Sequence, residues 1–303
     1  MPDSAAGDYN AEVTRTTLAA CLTIAGALAG CSRAHRPITV GSKSSTEQAI
    51  LGEILAQHLE KKLQTRVERR LNLGGTLMLH QSLLEGQIDV YPEYAGAAYV
   101  LIVKLPLVSD PDVVRERLKL EYEAQHLLWL APLGFGDQYA MVVRSADARA
   151  AKLETLSDAA QYKPGWSLGV TEEFMDRLDG YPLLIKTYNL PVNGAPKMTD
   201  VGEIYRSLGQ KQANMVVGGV TDGALAEADC KALRDDQGVF LPDPAALAVR
   251  GAALQEHPGL RQALEQLLGK FSVQAVRRLN HEVDFKHRHV EEVAKEFLSQ
   301  AGL

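Results

Sequence analysis

The chain has 303 residues, of which 46% are apolar and 23% are charged, and its formal net charge is −6. This length and composition indicate a globular protein of about two domains and exclude an intrinsically disordered chain. The basic residues are scattered, which argues against a nucleic-acid-binding stripe, and Cys21, Cys31 and Cys230 show neither metal-ligand spacing nor a disulfide framework.

The first predicted element is an uncharged apolar segment at residues 16–30, which reads TTLAACLTIAGALAG. It is too short for a comfortable membrane span, which needs about twenty residues, but it has the length of the apolar core of a secretory signal. It ends in LAGC, which resembles the bacterial lipoprotein signal. We therefore predict a signal peptide over residues 1–30, lipidation of Cys31 and a lipid-anchored tether over residues 31–36. The alternative is a buried apolar helix, and the acidic leader leaves the true start codon open.

The following residues alternate between strand and helix patterns. We predict a strand at 38–42, a helix at 46–63 capped by Ser45 or Thr46, a strand at 65–71, a helix at 76–85 and a strand at 88–91. This order is typical of an α/β fold with a largely parallel sheet and helices on its faces.

The second half predicts another α/β segment and a helical tail. A charged helix at 110–125 and buried strands at LLWLAPL and QYAMVV lead into strands near 167–170, 195–199 and 214–219 and helices near 171–178, 181–189, 200–208 and 221–227. The chain turns again near 240–250, and residues 258–303 contain three amphipathic helical runs. Because no long linker separates the segments, we expect short strands to join the two domains.

Motifs that could carry catalysis lack the context that the chemistry requires. Ser167 lies in GWSLG, but a turn precedes it and a strand follows it, which is the reverse of a nucleophile elbow. His287 and His289 would face apart on a helix and lie beside basic residues. GFGD at 134–137 lacks the third glycine of a dinucleotide loop. We therefore predict no enzymatic activity, no metal and no cofactor, and a hydrolase using Ser167 is the least favoured alternative.

Six motifs occur in an order that indicates a known family. They are GSKSSTEQAILGEILAQHLE (41–60), NLGGT (72–76), GQIDVYPEYAG (86–96), QYAMVVR (138–144), RLDGYPLLIKTYNL (177–190) and VTDGALA (220–226). Together they resemble the substrate-binding proteins of osmoprotectant ABC importers, which bind glycine betaine, carnitine and choline. The resemblance covers about residues 37–300. It implies an α/β two-lobed periplasmic-binding-protein clamp, type II-like, with two crossovers between the lobes.

In this resemblance, lobe one comprises residues 37–139 plus 243–303, lobe two comprises residues 140–242, and the ligand lies between them. Tyr94 and Tyr139 match tyrosines of an aromatic box, whose ring faces attract a quaternary ammonium. Lys43 and Arg177 match residues that hold a carboxylate. The same motifs supply further candidate ligand-binding residues, namely Ser44, Thr76, Tyr91, Thr221 and Asp222. Tyr91 and Tyr94 follow a predicted parallel strand, at whose end ligands bind in open sheets, but for Tyr91 an ordinary packing role stays equally open.

The sequence departs from the pattern of these relatives at three positions of the site. Gly219 and Pro244 stand where relatives often have tyrosines of the aromatic box, and Ala97 stands where they have a hydroxyl that helps to hold the carboxylate. Each lost aromatic face removes roughly 0.5–2 kcal/mol of attraction for a quaternary ammonium. We therefore expect either weak binding of betaines or a bulkier zwitterion or acid as ligand, in a wider pocket.

The resemblance and the N-terminal segment together predict a function. The chain would be a monomeric, lipid-anchored solute-binding protein at the periplasm or cell surface, which closes its lobes around a small zwitterion and then docks onto the permease subunits of an ABC importer with its ATPase. No nucleic-acid partner is expected. A ligand-binding sensor that signals to a membrane partner is the alternative, because it would use the same clamp.

Overall fold

The computed structural model describes residues 36–106, 108, 110–199, 203–226 and 229–303. The predicted signal peptide and Cys31 lie outside the described residues, so both stay predictions. Residues 37–303 form one compact unit. Within the described ranges, no helix combines the length and the apolar character that a membrane span needs.

The strands form two mixed five-stranded sheets. In chain order they are β1 (Ile38–Gly41), β2 (Val67–Arg70), β3 (Val90–Tyr94), β4 (Leu127–Trp129), β5 (Tyr139–Arg144), β6 (Leu168–Val170), β7 (Lys197–Met198), β8 (Met215–Gly219), β9 (Cys230–Leu233) and β10 (Ala245–Arg250). The first sheet has the order β2-β1-β3-β10-β4, and the second has the order β7-β6-β8-β5-β9. In the first sheet β1 runs parallel to β2 and β3, whereas β10 runs antiparallel to β3 and β4.

Helices cover the faces of both sheets. They are α1 (Thr46–Leu63), α2 (Thr76–Leu84), α3 (Ala95–Ala98), α4 (Pro111–Ala124), α5 (Ser145–Ala151), α6 (Leu156–Ala160), α7 (Glu172–Asp176), α8 (Tyr181–Tyr188), α9 (Ile204–Gly209), α10 (Gly251–Glu256), α11 (Leu260–Glu265), α12 (Val273–Asp284) and α13 (Val290–Gln300). A π-helical turn at Tyr99–Val103 follows α3, and a 3-10 turn at Gly223–Ala226 follows β8.

Local sequence signals explain where α1 begins and ends. Ser45 is the N-cap, and its side chain accepts a hydrogen bond from the N–H of Gln48 at 3.3 Å. Glu47 lies in the first turn, where a carboxylate is favoured by the helix dipole. The helix ends at Gln64, whose φ of 50° is left-handed. The predicted bounds of this helix, 46–63, are therefore confirmed.

The first sheet is covered on both faces, and the two faces have separate cores. One core contains α1 and the C-terminal helices and includes Tyr94, whereas the other lies under α2 and α4 and includes Tyr91. Residues three positions apart on a strand point to opposite faces. The two tyrosines of β3 therefore belong to different cores.

The chain crosses between the two sheets twice, first between β4 and β5 and again between β9 and β10. The crossings lie side by side, because Gly136 pairs with Pro244 and the N–H of Asp137 donates to the carbonyl of Asp243 at 3.1 Å. A Cβ on Gly136 would lie 2.6 Å from that carbonyl oxygen. Gly136 of the GFGD motif thus allows the close approach of the crossings, and the predicted two crossovers are confirmed.

The structure differs from the sequence prediction in both sheets. In the first sheet, β10 (Ala245–Arg250) lies between β3 and β4, where the sequence predicted only a turn near 240–250, and its antiparallel pairing makes the sheet mixed and not largely parallel. Strand β9 was not expected, and it is a short edge strand whose residues are mostly half-buried. The helix expected near 221–227 is the 3-10 turn at Gly223–Ala226. There a Cβ on Gly223 would lie 2.7 Å from the backbone nitrogen of His281, so α12 packs directly on this turn. Helices α5 and α6 were also missed.

Candidate ligand-binding site

The first part of the site is built at the ends of β1 and β3. Lys43 follows β1, and its Nζ donates to Oε1 of Glu93 at 2.5 Å and to Oγ1 of Thr76 at 3.3 Å. The same ammonium lies 4.5 Å from the centre of the Tyr94 ring. The structure therefore brings together three of the predicted site residues, Lys43, Thr76 and Tyr94, and adds Glu93, which is completely buried.

Tyr94 leaves little of its ring open to a ligand. The residue is only 8% exposed, and its hydroxyl donates to Oε1 of Glu47. Burial, followed by the charge of Glu47, raises the pKa of the phenol well above its usual value. The ammonium of Lys43 already covers one face of the ring. Most of the surface of this ring therefore contacts other groups of the protein.

The second part of the site lies at the start of β5 and the end of α7. The guanidinium of Arg177 makes two hydrogen bonds to Asp179, at 2.9 and 2.7 Å, and a third to Oε1 of Glu173 at 3.1 Å. It also lies 5.3 Å from the centre of the Tyr139 ring, which meets Phe174 edge-on at 5.0 Å. Two predicted site residues, Arg177 and Tyr139, thus lie together, and the cation is already paired with Asp179 and Glu173.

Asp243 links the two parts of the site, although the sequence analysis did not single it out. It lies on the second crossing, and its Oδ1 accepts the backbone N–H of Gly96 at 2.5 Å. Burial raises the pKa of its carboxyl to about 7. Arg177 and Lys43 both lower this pKa through their charges. The charges of both cations of the site therefore act on the carboxyl group of Asp243.

Thr221 joins the two sheets through hydrogen bonds and is completely buried. Its hydroxyl donates to Oδ1 of Asp137 at 2.8 Å, and its carbonyl accepts from Nδ2 of Asn280 at 2.9 Å. The same Asn280 nitrogen donates to Oε2 of Glu47 at 2.7 Å. Because Asn280 and Glu47 belong to α12 and α1, this network ties the loop after β8 to the helices of the first sheet.

Three carboxyl groups lie in or beside this network. Oδ2 of Asp222 accepts the hydroxyl of Tyr205 at 2.6 Å and the N–H of Gly219 at 2.8 Å. Burial is the largest cause that raises the pKa of Glu47, Asp137 and Asp222 above the usual range. The structure thus gives Asp222 partners on α9 and at the end of β8, and it gives Thr221 partners at Asp137 before β5 and at Asn280 on α12.

The position of Gly219, where relatives often have a tyrosine, is occupied by a neighbour. A Cβ on Gly219 would lie 2.1 Å from Oδ1 of Asp137, and its backbone lies outside the left-handed region. The absence of a side chain is therefore explained by the carboxylate of Asp137 and not by backbone conformation. At this point the ring is replaced by a buried carboxyl group, and the space is not left open.

A cavity of about 360 Å³ lies beside Asp243. Its walls are mainly apolar and include Trp129 and Pro244, and its polar members are Arg115, Gln138 and Asp243. The second position that lacks a tyrosine, Pro244, thus borders this cavity.

The remaining predicted residues lie apart from these groups. Ser44 is exposed, and its N–H donates to the carbonyl of Gly74 at 2.9 Å. Tyr91 is completely buried in the core under α2 and α4, and its hydroxyl has no hydrogen-bond partner among the described residues. The structure therefore assigns Tyr91 to packing on the far face of the sheet.

The structure also bears on the excluded enzyme and metal motifs. Ser167 precedes strand β6, and no helix follows it directly, so the context of a nucleophile elbow is absent at this serine. In the described part of the chain, no group of three or more His, Cys, Asp or Glu residues could hold a metal ion.

Comparisons with known proteins support the family that the motifs indicated. Residues 36–300 match the family described as the substrate binding domain of ABC-type glycine betaine transport systems. The chain is 33% identical over 271 residues to the ergothioneine transport permease/ergothioneine binding protein EgtU of Helicobacter pylori, which covers 89% of this chain and 48% of that protein. It is 31% identical to the carnitine transport binding protein OpuCC of Listeria monocytogenes, with 87% and 86% of the two chains covered.

A solved structure of a glycine betaine/carnitine/choline ABC transporter matches the fold. Its TM-score is 0.79 at 27% identity, and the match covers 88% of this chain and 98% of that one. The type II periplasmic-binding-protein fold predicted from the sequence is therefore confirmed. The chain belongs to the family of substrate-binding domains of ABC-type glycine betaine transport systems, which are transport binding proteins and not enzymes.

Proposed function

We propose that this chain is the solute-binding component of an ABC importer and that its ligand is a small zwitterion, either of the betaine type or bulkier. The observation that carries the proposal is that Lys43 and Arg177, one from each part of the site, both lie near enough to Asp243 for their charges to lower its pKa. Two cations in one site can hold the carboxylate of a ligand.

The names of the relatives support a ligand with a carboxylate. The Helicobacter protein is named for ergothioneine and the Listeria protein for carnitine, and both compounds are trimethylammonium carboxylates larger than glycine betaine. The 360 Å³ cavity beside Pro244 offers apolar room for such a carbon skeleton. We favour a zwitterion of this size over glycine betaine itself.

In the proposed mechanism, residues 37–139 plus 243–303 and residues 140–242 act as the two lobes and close around the ligand. The side-by-side crossings at Gly136 and Pro244 serve as the hinge. Both Lys43 and Arg177 have carboxylate partners in the present structure. The ligand carboxylate must therefore share these cations with Glu93 and Asp179.

We further propose that Cys31 carries lipid and holds the domain at the membrane, beside permease subunits with an ATPase. The short uncharged segment that ends in LAGC supports this anchor. A monomer held in this way would deliver its ligand without a second copy.

Calorimetry and thermal shift on residues 37–303 test the proposal. The ligands are glycine betaine, carnitine, choline, a thiol-histidine betaine and amino acids. A ligand at one hundred times its Kd should stabilise the protein by about 2.7 kcal/mol. We expect carboxylate-bearing zwitterions to do so and choline, which lacks the carboxylate, to have a smaller effect. Stabilisation by choline alone, or by none of these compounds, would contradict the proposal.

A further inference from the structure

We propose that Asp243 is the residue that selects the cationic group of the ligand and that it favours a positive group with an N–H donor over a fully methylated ammonium. This inference rests on the proposed function, since it requires a zwitterion between the lobes. It assigns a specificity role to a residue that no motif of the sequence indicated.

The first step concerns the two aromatic rings that remain in the site. The Tyr94 ring carries the ammonium of Lys43 at 4.5 Å, and the Tyr139 ring carries the guanidinium of Arg177 at 5.3 Å. A cation of the protein therefore already covers one face of each ring. Because Tyr94 is also almost completely buried, a ligand ammonium finds little free π-surface at these tyrosines.

The second step concerns the carboxylates around the site. Glu93 is paired with Lys43, and Asp179 is paired with Arg177. Asp243 differs from both. Its Oδ1 accepts one backbone N–H, and its Oδ2 has no hydrogen-bond partner among the described residues. Oε2 of Glu93 also has no hydrogen-bond partner among the described residues, but Glu93 is completely buried, whereas Asp243 borders the cavity. Asp243 is therefore the carboxylate whose free acceptor a ligand in the cavity can reach.

The third step concerns access. Asp243 is only partly buried, and it borders the 360 Å³ cavity together with Val220 and Pro244. A ligand can thus bring its positive group to the carboxylate while its carbon skeleton contacts apolar walls. Asp243 lies on the second crossing, between β9 and β10. A ligand that first binds either of the proposed lobes can therefore still reach its carboxylate.

The hydrogen-bonding capacity of a carboxylate then favours a cation with an N–H group over a fully methylated one. An N–H⁺ group donates a charge-assisted hydrogen bond to the oxygen, which is short and directional. A trimethylammonium presents only methyl groups, so it gains the attraction of charge without a hydrogen bond. A carboxylate that replaces aromatic faces should therefore reverse the usual preference of a betaine site.

Two matched pairs of ligands test the inference by calorimetry: dimethylglycine against glycine betaine, and norcarnitine against carnitine. Within each pair the net charge is equal at neutral pH, and only one N–H is exchanged for an N-methyl group. We expect the wild-type protein to prefer the N–H member at least tenfold. Asp243→Asn should reduce this preference at least tenfold.

The asparagine keeps an oxygen that can accept the N–H of Gly96, and Asp243→Ser serves as a second variant should Asp243→Asn fail to fold. Asp176→Asn is the matched control, because it removes an exposed carboxylate next to Arg177 in the chain. The control should leave the preference unchanged.

The outcomes separate this inference from the proposed function. If the wild-type protein binds none of the four zwitterions, the proposed function fails and the inference fails with it. If the zwitterions bind but the preference is the same with and without the Asp243 carboxylate, the proposed function stands and the inference is overturned. An equal loss of preference in Asp176→Asn would also overturn the inference. The preference would then depend on the net charge of the protein and not on a hydrogen bond to Asp243.

Discussion

Replacement of Asp243 by asparagine should stabilise the ligand-free protein at alkaline pH. Burial raises the pKa of this carboxyl from an ordinary value of 3.8 to about 7, which means that the folded state favours the protonated form. The attraction of Lys43 and Arg177 offsets only part of this effect, and Glu93 acts in the opposite direction. An asparagine is neutral at every pH and avoids the cost of burying the charge.

The size of the effect follows from the difference between the two pKa values. A carboxyl group with a raised folded-state pKa contributes stability that is fully present below pH 3.8 and is lost as the pH rises through 7. The difference of about three pH units corresponds to about 4 kcal/mol at 1.36 kcal/mol per unit. Between pH 5 and pH 8.5, the advantage of Asp243→Asn over wild type should therefore grow by about 2–3 kcal/mol.

Urea denaturation of both proteins at several pH values between 4 and 8.5 measures this directly. The comparison of the variant with wild type at each pH removes the contributions of all other titrating groups. Asp176→Asn, which changes an exposed carboxylate, should show no comparable trend with pH. A stability difference between Asp243→Asn and wild type that stays constant over this range would refute the reasoning, since Asp243 would then ionise alike in the folded and unfolded chains.

Other replacements test the remaining parts of the site. Arg177→Ala should weaken carboxylate ligands by roughly 1.5–3 kcal/mol in calorimetry, and unchanged binding would reject its assignment. Gly219→Tyr alone should lower the Tm because the new side chain would clash with Asp137. Gly219→Tyr combined with Asp137→Gly should restore a ring and raise the affinity for glycine betaine. Unchanged affinity in the double variant would show that the missing ring does not limit betaine binding. Asn280→Ala should lower the free energy of unfolding, measured by urea denaturation, by about 1–3 kcal/mol because it leaves buried acceptors unpaired. An unchanged free energy of unfolding would show that this network does not stabilise the fold. Mass spectrometry of membrane extracts should find Cys31 diacylated and residues 1–30 absent, and a product that retains Met1 would contradict the lipoprotein prediction.

The strands and helices of residues 38–94 could be predicted because their signals are local, whereas β10, which joins the same sheet from residues 245–250, was not predicted. The helix at 46–63 has a serine cap, a first-turn glutamate and an apolar face with helical spacing. By contrast, β9 at Cys230–Leu233 is a short edge strand with mostly half-buried side chains. It has no alternation of apolar and polar residues that sequence analysis could detect, and only its pairing with β5 makes it a strand.

The motifs named Lys43, Tyr94, Arg177 and Tyr139 as site residues, but they did not indicate that each cation lies over one of the tyrosine rings or which carboxylates pair with the cations. No sequence motif distinguishes Glu93 and Asp179 from the other carboxylates of the chain. Their ion pairs with Lys43 and Arg177 depend on the packing of β3 and of the turn after α7. The alternation of side chains along a strand could have revealed the packing role of Tyr91. It lies three residues from Tyr94 on the same strand, so the two side chains point to opposite faces of the sheet.

The two positions that lack a tyrosine are linked more closely than the sequence suggested. Next to Gly219 lies the carboxylate of Asp137, and next to Pro244 in the chain lies Asp243. The backbones of these two aspartates are joined by a hydrogen bond between the crossings. An aspartate of the crossings therefore lies beside each position that lacks a ring, with Asp137 in contact with Gly219 and Asp243 preceding Pro244 in the chain.

These two acidic groups do not have the same role. Asp137 accepts the hydroxyl of Thr221, and burial raises its pKa well above the usual value, so it serves as a structural partner at the junction of the lobes. Asp243 keeps an oxygen available and borders the cavity. A ring face attracts any diffuse cation, whereas a carboxylate oxygen discriminates by hydrogen bonding. The exchange of rings for aspartates should therefore retain the attraction for a cation and change which cation is preferred.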